Sequence, residues 1–504
     1  MVTPVNSTYT TKNIPLVSQI DSRGPYNSLG DGYIENFIPN LVKNSVTNEN
    51  ELTLIKRQPL QTISEITGAV GQARGFFYWQ DQDKFVVAIS RNIYIVNRAT
   101  GNVITTFVNA VDNNDFTPVG FSLYLTSTGI QSVIFTDGTT LSQVSTTNVL
   151  TICTDVDLPV PHLPTPVYFD GYLLLVKANT ADCYNSDLDA PLSWTPGNFI
   201  TAEKSPDVVT GITTLNDFFI LLGSNSIEYF YNQGNPTGTP FQRSDTFIKL
   251  TGYYGGLAKY GNTVFFIGES DQGSFDVFHL ENYKITSIGN NSIRRYLSAN
   301  QTTLGFTGGI VSLNGTTLYL LRSGGVNTGL DPYYFDTNTG LWGLIKTNIG
   351  LGNFAFINTQ PSHFSPFTSY LMFNQSTAIL GFVYEFFGIY GDKKTVGFSN
   401  GTAYTGTIVT DKFNFGTTNQ KFMHGLTLVP DRNDAFFINN PIDVSVSDDD
   451  GRTYSTPRSL ELNQERANLQ QLGRFRNRSI KLVHTGLAPC KLYGMEADLN
   501  MGIT

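Results

Sequence analysis

At 504 residues the chain exceeds one ordinary core, so it requires two or three domains or one large β fold. With 40% hydrophobic and only 14% charged residues it is too apolar to stay disordered. Its net charge of −9 argues against a general nucleic-acid binder, which needs clustered Lys and Arg against phosphate.

The opening "MVTPVNSTYTTKNIPLV" has no basic region followed by an apolar block, so no signal peptide is expected. No apolar run reaches the length that spans a bilayer, and no membrane segment is expected. Cys153, Cys183 and Cys490 are odd in number and lack C-x-x-C spacing, which predicts buried free thiols made in a reducing cytoplasm. Residues 1–60 read as an extended, Pro-broken segment ("DGYIENFIPNLVKN", "ELTLIKRQPL") that packs against another domain.

A recurring unit then takes over: a Gly/Asn/Asp turn followed by an apolar strand. "DGYLLLV", "NDFFILL", "GNTVFFI" and "NGTTLYLL" start at Asp170, Asn216, Gly261 and Asn314, 46, 45 and 53 residues apart. A four-stranded propeller blade has a period of this size, because one blade cannot bury both of its faces alone. "FFILLGSNSIEYFY" reads as a hairpin through Gly223–Ser226, and "YYFDTNTGLW" as another through Asp336–Gly340. The pattern predicts an all-β chain with a β-propeller over 61–395, and "NNSIRRYLSAN" as a short helix between blades. From 396 to 504 the alternation in "IDVSVS" and "IKLVHTG" predicts an additional antiparallel β domain.

Chemistry-bearing constellations are few. The five histidines stand singly without H-x-x-x-H spacing, and nucleotide or nucleophile-elbow motifs are missing. No catalytic residue, metal ligand or cofactor is predicted. Asp187 and Asp189 in "SDLDAP", and Glu269 and Asp271 in "GESD", are the carboxylate pairs a glycosidase would need. Propeller loops carry Asp for turns, however, and a sialidase-like site needs several arginines where only Arg243 lies between 99 and 293. "SDDDGRTY" resembles an Asp-box hairpin, with Ser447, Asp449, Gly451 and Tyr454 at its fixed positions. It lacks the D-x-D-x-D-G spacing and later Glu of a calcium loop, so it reads as a structural turn.

Six Lys/Arg and no Asp or Glu lie between Arg466 and Lys491. Arg474, Arg476 and Arg478 alternate with Phe475 and Asn477, so in a strand all three share one face. That face is either solvated or an interface for an acidic partner or neighbouring subunit.

Four tracts, in this order, carry a family resemblance: "YIENFIPN…LIKRQPL" (33–60), "VYFDGYLLLVKANTADCYNSDLDAPLSWTPGNFITAEKSPDVVTGITTLNDFFILLGSNSIEYF" (167–230), "SIGNNSIRRYL" (287–297) and "SVSDDDGRTYSTPRSL…LGRFRNRSIKLVHTGLAPCKLYGMEADL". Together they resemble the tail nozzle proteins (tail hub, or packaged-DNA-stabilisation proteins) of short-tailed P22-type bacteriophages. Gln58-Pro59-Leu60 departs from the family by lacking a Gly. The resemblance implies a non-enzymatic virion component, a hexameric ring below portal and adaptor that retains packaged DNA and later conducts it. It also implies docking to adaptor or head-to-tail connector proteins, to tail fibres or spikes and to a needle or plug, with assembly in the bacterial cytoplasm. The first and last segments would form an adaptor-facing platform, placing Arg474–Arg478 near an interface. The competing readings are a glycan-degrading propeller and a sugar-binding adhesin using Tyr253, Tyr254, Tyr333 and Tyr334.

Overall fold

In the computed structural model the described residues are 10–17, 32–43, 50–66, 73–112, 117–235, 237–249, 252–269, 273–300, 306–313, 315–323, 332–346, 353–355, 370–374, 381–386, 403–431, 439–464 and 466–502. Among them the strands between Leu60 and Phe386 form seven four-stranded antiparallel units, the blades of a β-propeller. Blades 1–6 each use four consecutive strands: Ala73–Phe107, Gly120–Ile152, Val167–Thr201, Val209–Lys249, Tyr253–Ser287 and Phe306–Leu344. The first strand of each of blades 1–5 touches the first strand of the next, and blade 7 returns to contact Ala73–Trp79.

The apolar runs follow from this geometry. A blade is buried on both faces, so successive residues of its inner strands all need apolar side chains. In "YLLLV", Leu173 and Leu175 pack with Tyr124 and Ile134 of blade 2, while Leu174 and Val176 pack with Phe219 and Leu221 of blade 4. The same split recurs in "FFILL", where Phe219 and Leu221 face blade 3 and Ile220 and Leu222 face blade 5. The turns between strands use residues that tolerate positive φ. Asp170 and Gly171 have φ of 49° and 83°, and a Cβ on Gly171 would meet Leu188 Cδ1 at 2.8 Å. The predicted helix is Asn291–Ala299, between blades 5 and 6, and Asn290 caps it by accepting from the Ile293 amide at 2.9 Å.

Blade 7 is closed from a distance. Its strands Asn353–Ala355, Tyr370–Asn374 and Gly381–Phe386 are completed by Leu60–Ile66, which pairs antiparallel with Gly381–Phe386. The additional β region also mixes chain ends. One sheet orders Phe37–Lys43, Asn50–Lys56, Lys491–Met501, Lys421–Pro430 and Ala467–Phe475, with Thr10–Ile14 on Lys491–Met501. A second run of strands continues the outer edge of blade 6: Trp342–Leu344 pairs parallel with Tyr33–Glu35, which pairs antiparallel with Gly406–Val409. Ser479–His484, Pro441–Ser447 and Arg458–Glu461 extend it further. The two runs enclose one core, including Phe37, Leu54, Ile408, Leu426, Leu482 and Met495.

Where propeller and end region meet, the polar groups are buried and satisfied. Arg57 is 1% exposed; its Nε donates to Asn36 Oδ1 at 2.8 Å, Nη1 to the Gln58 carbonyl at 2.9 Å and Nη2 to the Lys346 carbonyl at 2.8 Å. The Tyr404 ring lies 4.0 Å from its guanidinium carbon, and the Tyr404 hydroxyl donates to the Arg57 carbonyl. Asn36 (φ 57°) also accepts from the Lys346 amide at 2.9 Å and donates to the Thr405 carbonyl at 2.6 Å. Lys346 Nζ meets Glu35 at 2.8 Å, and the Tyr334 hydroxyl donates to the Phe37 carbonyl. Beside them Lys56 donates to the Gly486 carbonyl at 2.8 Å and contacts His484 Nδ1 at 3.0 Å. His484 Nε2 lies 2.6 Å from Asn440 Oδ1. With Lys56 supplying protons, Nδ1 accepts and Nε2–H donates, so the ring is neutral.

Arg57→Met removes the donor to the Gln58 and Lys346 carbonyls in a buried seam and leaves Asn36 Oδ1 only the Lys346 amide, which costs about 3 kcal/mol. Urea unfolding should show a lowered midpoint with an unchanged m-value; an unaltered midpoint refutes the role given to Arg57. Burial, with the nearby Lys56 charge second, holds the His484 pKa down to about 3. An unfolded histidine titrates near 6.5, so the unfolded chain binds the extra proton first and stability drops as pH falls from about 6.5 towards 3. Between pH 7 and 5 wild type should lose about 2 kcal/mol more than His484→Gln. Parallel stability–pH curves for the two proteins would contradict this.

Candidate interface on the C-terminal strands

The acidic hairpin links Pro441–Ser447 to Arg458–Glu461. Asp450 and Gly451 take φ of 64° and 79° at its tip, conformations that Asp tolerates and Gly prefers. Asp449 Oδ1 accepts from Ser447 Oγ at 2.8 Å and from the Thr453 amide at 2.9 Å, and its Oδ2 accepts from Thr453 Oγ1 at 2.6 Å. Those bonds, led by Thr453, hold its carboxyl down at about 2. Ser447 Oγ accepts from the Gly451 amide at 3.0 Å, and half-buried Tyr454 lies 5.5 Å under Lys481 Nζ. The two neighbouring carboxylates are engaged elsewhere: Asp448 takes Arg478 Nε and Nη2 at 2.7 and 2.8 Å, and Asp450 takes Lys412 at 2.5 Å. The hairpin is therefore a turn staple that also grips two cations.

The arginine tract does not form one face. The strand Ala467–Phe475 ends there, the chain bends at residues 476–477, and a new strand begins at Ser479. Arg474 stays exposed on the edge strand, opposite Phe422. Arg476 is exposed and donates to the Thr418 carbonyl at 2.8 Å. Arg478 is 2% exposed: besides Asp448 it donates to the Leu472 carbonyl at 2.9 Å and lies 4.4 Å from the Phe475 ring centre. Alternation alone cannot reveal the bend, because nothing in "RFRNR" marks a turn as strongly as Gly or Pro would. Of the three, Arg474 and Arg476 remain available to a partner, flanked by Phe422 at 37% and Met501 at 40% exposure.

The other candidates are absorbed by the fold. Asp187 accepts from Ser193 Oγ and Thr195 Oγ1 at 2.7 and 2.8 Å, tying its own hairpin. Asp189 (φ 58°) reaches to blade 2 and accepts from the Ser127 amide at 2.8 Å. The "SDLD" loop thus turns the chain and clips two blades together. Glu269 accepts from the Tyr254 hydroxyl at 3.2 Å, and Asp271 lies outside the described residues. Among the four tyrosines, Tyr334 is fully buried, Tyr253 and Tyr333 are half-buried, and exposed Tyr254 packs edge-on against Phe275 at 4.5 Å. His162 is buried between Thr136 Oγ1 and the Pro159 carbonyl, each at 2.7 Å, and His279 and His424 pack on Phe265 and Phe422. His363 lies outside the described residues. The Arg57–Asn36–Tyr404 seam was not foreseen; "IENF" and "IKRQP" carry no local pattern that pairs them.

A family model described as "Bacteriophage P22 Gp10, beta-propeller" matches residues 14–304, more than half of the chain. Among solved structures the chain is similar to selenomethionine-substituted virginiamycin B lyase from Staphylococcus aureus, at 12% identity over 64% of this chain and 98% of that one, with a TM-score of 0.42. It is also similar to a streptogramin B lyase (13% identity, 65% and 97% covered, TM-score 0.40) and to U3-55K (9%, 65% and 98%, 0.37). No curated protein matches it.

Arg478→Met removes the cation paired with half-exposed Asp448 and unpairs the Leu472 carbonyl and should cost about 2 kcal/mol, whereas Arg474→Ala and Arg476→Ala should each stay within about 0.5 kcal/mol. Thermal melts of the three variants check this, and equal losses at all three positions would rule it out.

Proposed function

The chain belongs to the bacteriophage P22 Gp10 β-propeller family, and from that membership we propose that it is the tail nozzle of a short-tailed phage virion. In this reading copies of the chain form a ring, a hexamer, below the portal and adaptor; it closes the DNA exit channel, retains the packaged genome and conducts it during ejection. The protein is structural, without an enzymatic step, and is assembled in the host bacterial cytoplasm. Residues 1–60 and 396–504 make the adaptor-facing platform and 61–395 the propeller that extends from it. Head-to-tail connector proteins dock on the platform, and tail fibres or spikes and a needle or plug dock elsewhere.

The observation that carries this reading is the family match over residues 14–304, and the seam around Arg57 supports treating platform and propeller as one part. A nozzle must transmit load between its two ends, and a seam closed by buried hydrogen bonds resists shear better than a flexible linker. Charge supports the same role. A chain of net charge −9 in transient contact with DNA lets the backbone pass without holding it. Exposed Arg474 and Arg476 suit an acidic adaptor surface, since arginine is favoured in interface ion pairs.

Purified chain added to virion tails lacking it should appear by negative-stain microscopy as a ring with a central channel on the adaptor. Arg474→Glu with Arg476→Glu should reduce tail occupancy about tenfold while leaving the melting temperature unchanged. A monomer that ignores tails, or one that degrades polysaccharide, would sink this reading.

A further inference from the structure

Two costly features meet at the boundary between blades 4 and 5. The first is a strained turn. Phe275–Glu281 and Lys284–Ser287 are joined through Asn282 and Tyr283, with Glu281 paired to Lys284 and φ of 48° and 64° at the two turn residues. This is the two-residue hairpin whose second position favours glycine, and here it holds a tyrosine. Among the described residues the other aromatic side chain at positive φ is Phe415 (53°), which packs on the core of the end region. Tyr283 lacks that compensation, being 42% exposed.

The second is an unsatisfied hydroxyl. Buried Tyr124 and Tyr319 donate to the Gly171 and Gly256 carbonyls at 2.6 and 2.7 Å, and buried Tyr334 donates to the Phe37 carbonyl. Tyr229 is as deeply buried, yet its hydroxyl has no hydrogen-bond partner. A buried Tyr O–H ordinarily finds one, because an unpaired hydroxyl forfeits its hydration. The two features touch. The Tyr283 ring centre lies 5.2 Å from that of Tyr229, and each lies 6.1 Å from Phe218. Tyr231 adds a fourth ring, 6.2 Å from Phe218. The turns at Asn216–Asp217 and Asn282–Tyr283 both join an odd strand of a blade to the next even one, so they open on the same face of the propeller. Asp217, Glu281 and Lys284 stand exposed there.

We propose that this aromatic shelf is a saccharide-binding site, independent of the ring reading. A pyranose stacks its C–H face on Tyr283 and Phe218, and rotation of the exposed Tyr283 ring lets a sugar hydroxyl reach the Tyr229 O–H. The unpaired hydroxyl selects the ligand. It needs an acceptor, which a sugar hydroxyl offers and a quaternary ammonium ion does not, although both pack on aromatic rings. Asp217 and Glu281 can accept from further sugar hydroxyls and Lys284 can donate to them. Backbone strain and an unmet hydrogen bond persist where a ligand, rather than the fold, satisfies the residues.

Saturation-transfer NMR on the full chain tests this, with the methyl glycosides of glucose, galactose and N-acetylglucosamine and with choline as separate probes. Wild type should show transfer to the ring C–H protons of at least one glycoside. Tyr283→Gly, which suits the left-handed turn, should lose that signal, and Tyr229→Phe should weaken binding about tenfold. Tyr229→Phe removes only the unpaired hydroxyl, so its melting temperature should equal or exceed that of wild type. Circular dichroism checks that both variants fold. No glycoside signal, a signal retained in full by both variants, or transfer to choline alone overturns the saccharide site. A lowered melting temperature in Tyr229→Phe overturns the unpaired hydroxyl on which the site rests.

Discussion

The structure depends on keeping one guanidinium satisfied away from water. Arg57 sits where a strand of the end region stops and the chain crosses to the propeller, and it donates to Asn36, Gln58 and Lys346. A buried arginine is tolerated only when acceptors and an aromatic face replace its hydration shell. Supplying them fixes Tyr404, the left-handed Asn36 and the main chain beyond blade 6 in one arrangement. The neighbouring Lys56–His484–Asn440 chain repeats the solution with a lysine. Two cations thus specify the docking of chain segments several hundred residues apart.

The propeller solves a different problem by repetition. Each blade is apolar on both faces and stable only between neighbours, so burial is passed from wedge to wedge around the ring. Polar clips such as Asp189 to Ser127 and Lys259 to Thr214 (2.7 Å) bind one blade to the next between those wedges. Two of the carboxylates that invite a catalytic reading follow from this construction: Asp187 ties its own hairpin and Asp189 clips adjacent blades.

The all-β class, the blade spacing, the interblade helix and the hairpins at Gly223–Ser226 and Asp336–Gly340 were legible because each depends on local chemistry. Turn residues and apolar runs are written side by side in "DGYLLLV" and "NDFFILL". The Asp-box positions were legible for the same reason, since Asp449 and Thr453 are four residues apart. What sequence could not supply were pairings across long separations: Leu60–Ile66 with Gly381–Phe386, and Tyr33–Glu35 with Trp342–Leu344. Three arginines at alternate positions look like one strand face, and only the bend after Phe475 sends Arg478 into the core.

The closure of blade 7 by Leu60–Ile66 also sets a timetable for biosynthesis. That strand leaves the ribosome early, but its partner Gly381–Phe386 follows only after more than three hundred further residues. At bacterial elongation rates the delay is on the order of tens of seconds. The strands of blades 1–6 are all made during this interval, before the partner of the early strand exists. Capture of one of the first segments made therefore waits for Gly381–Phe386, and a chain that stops before it cannot close its ring.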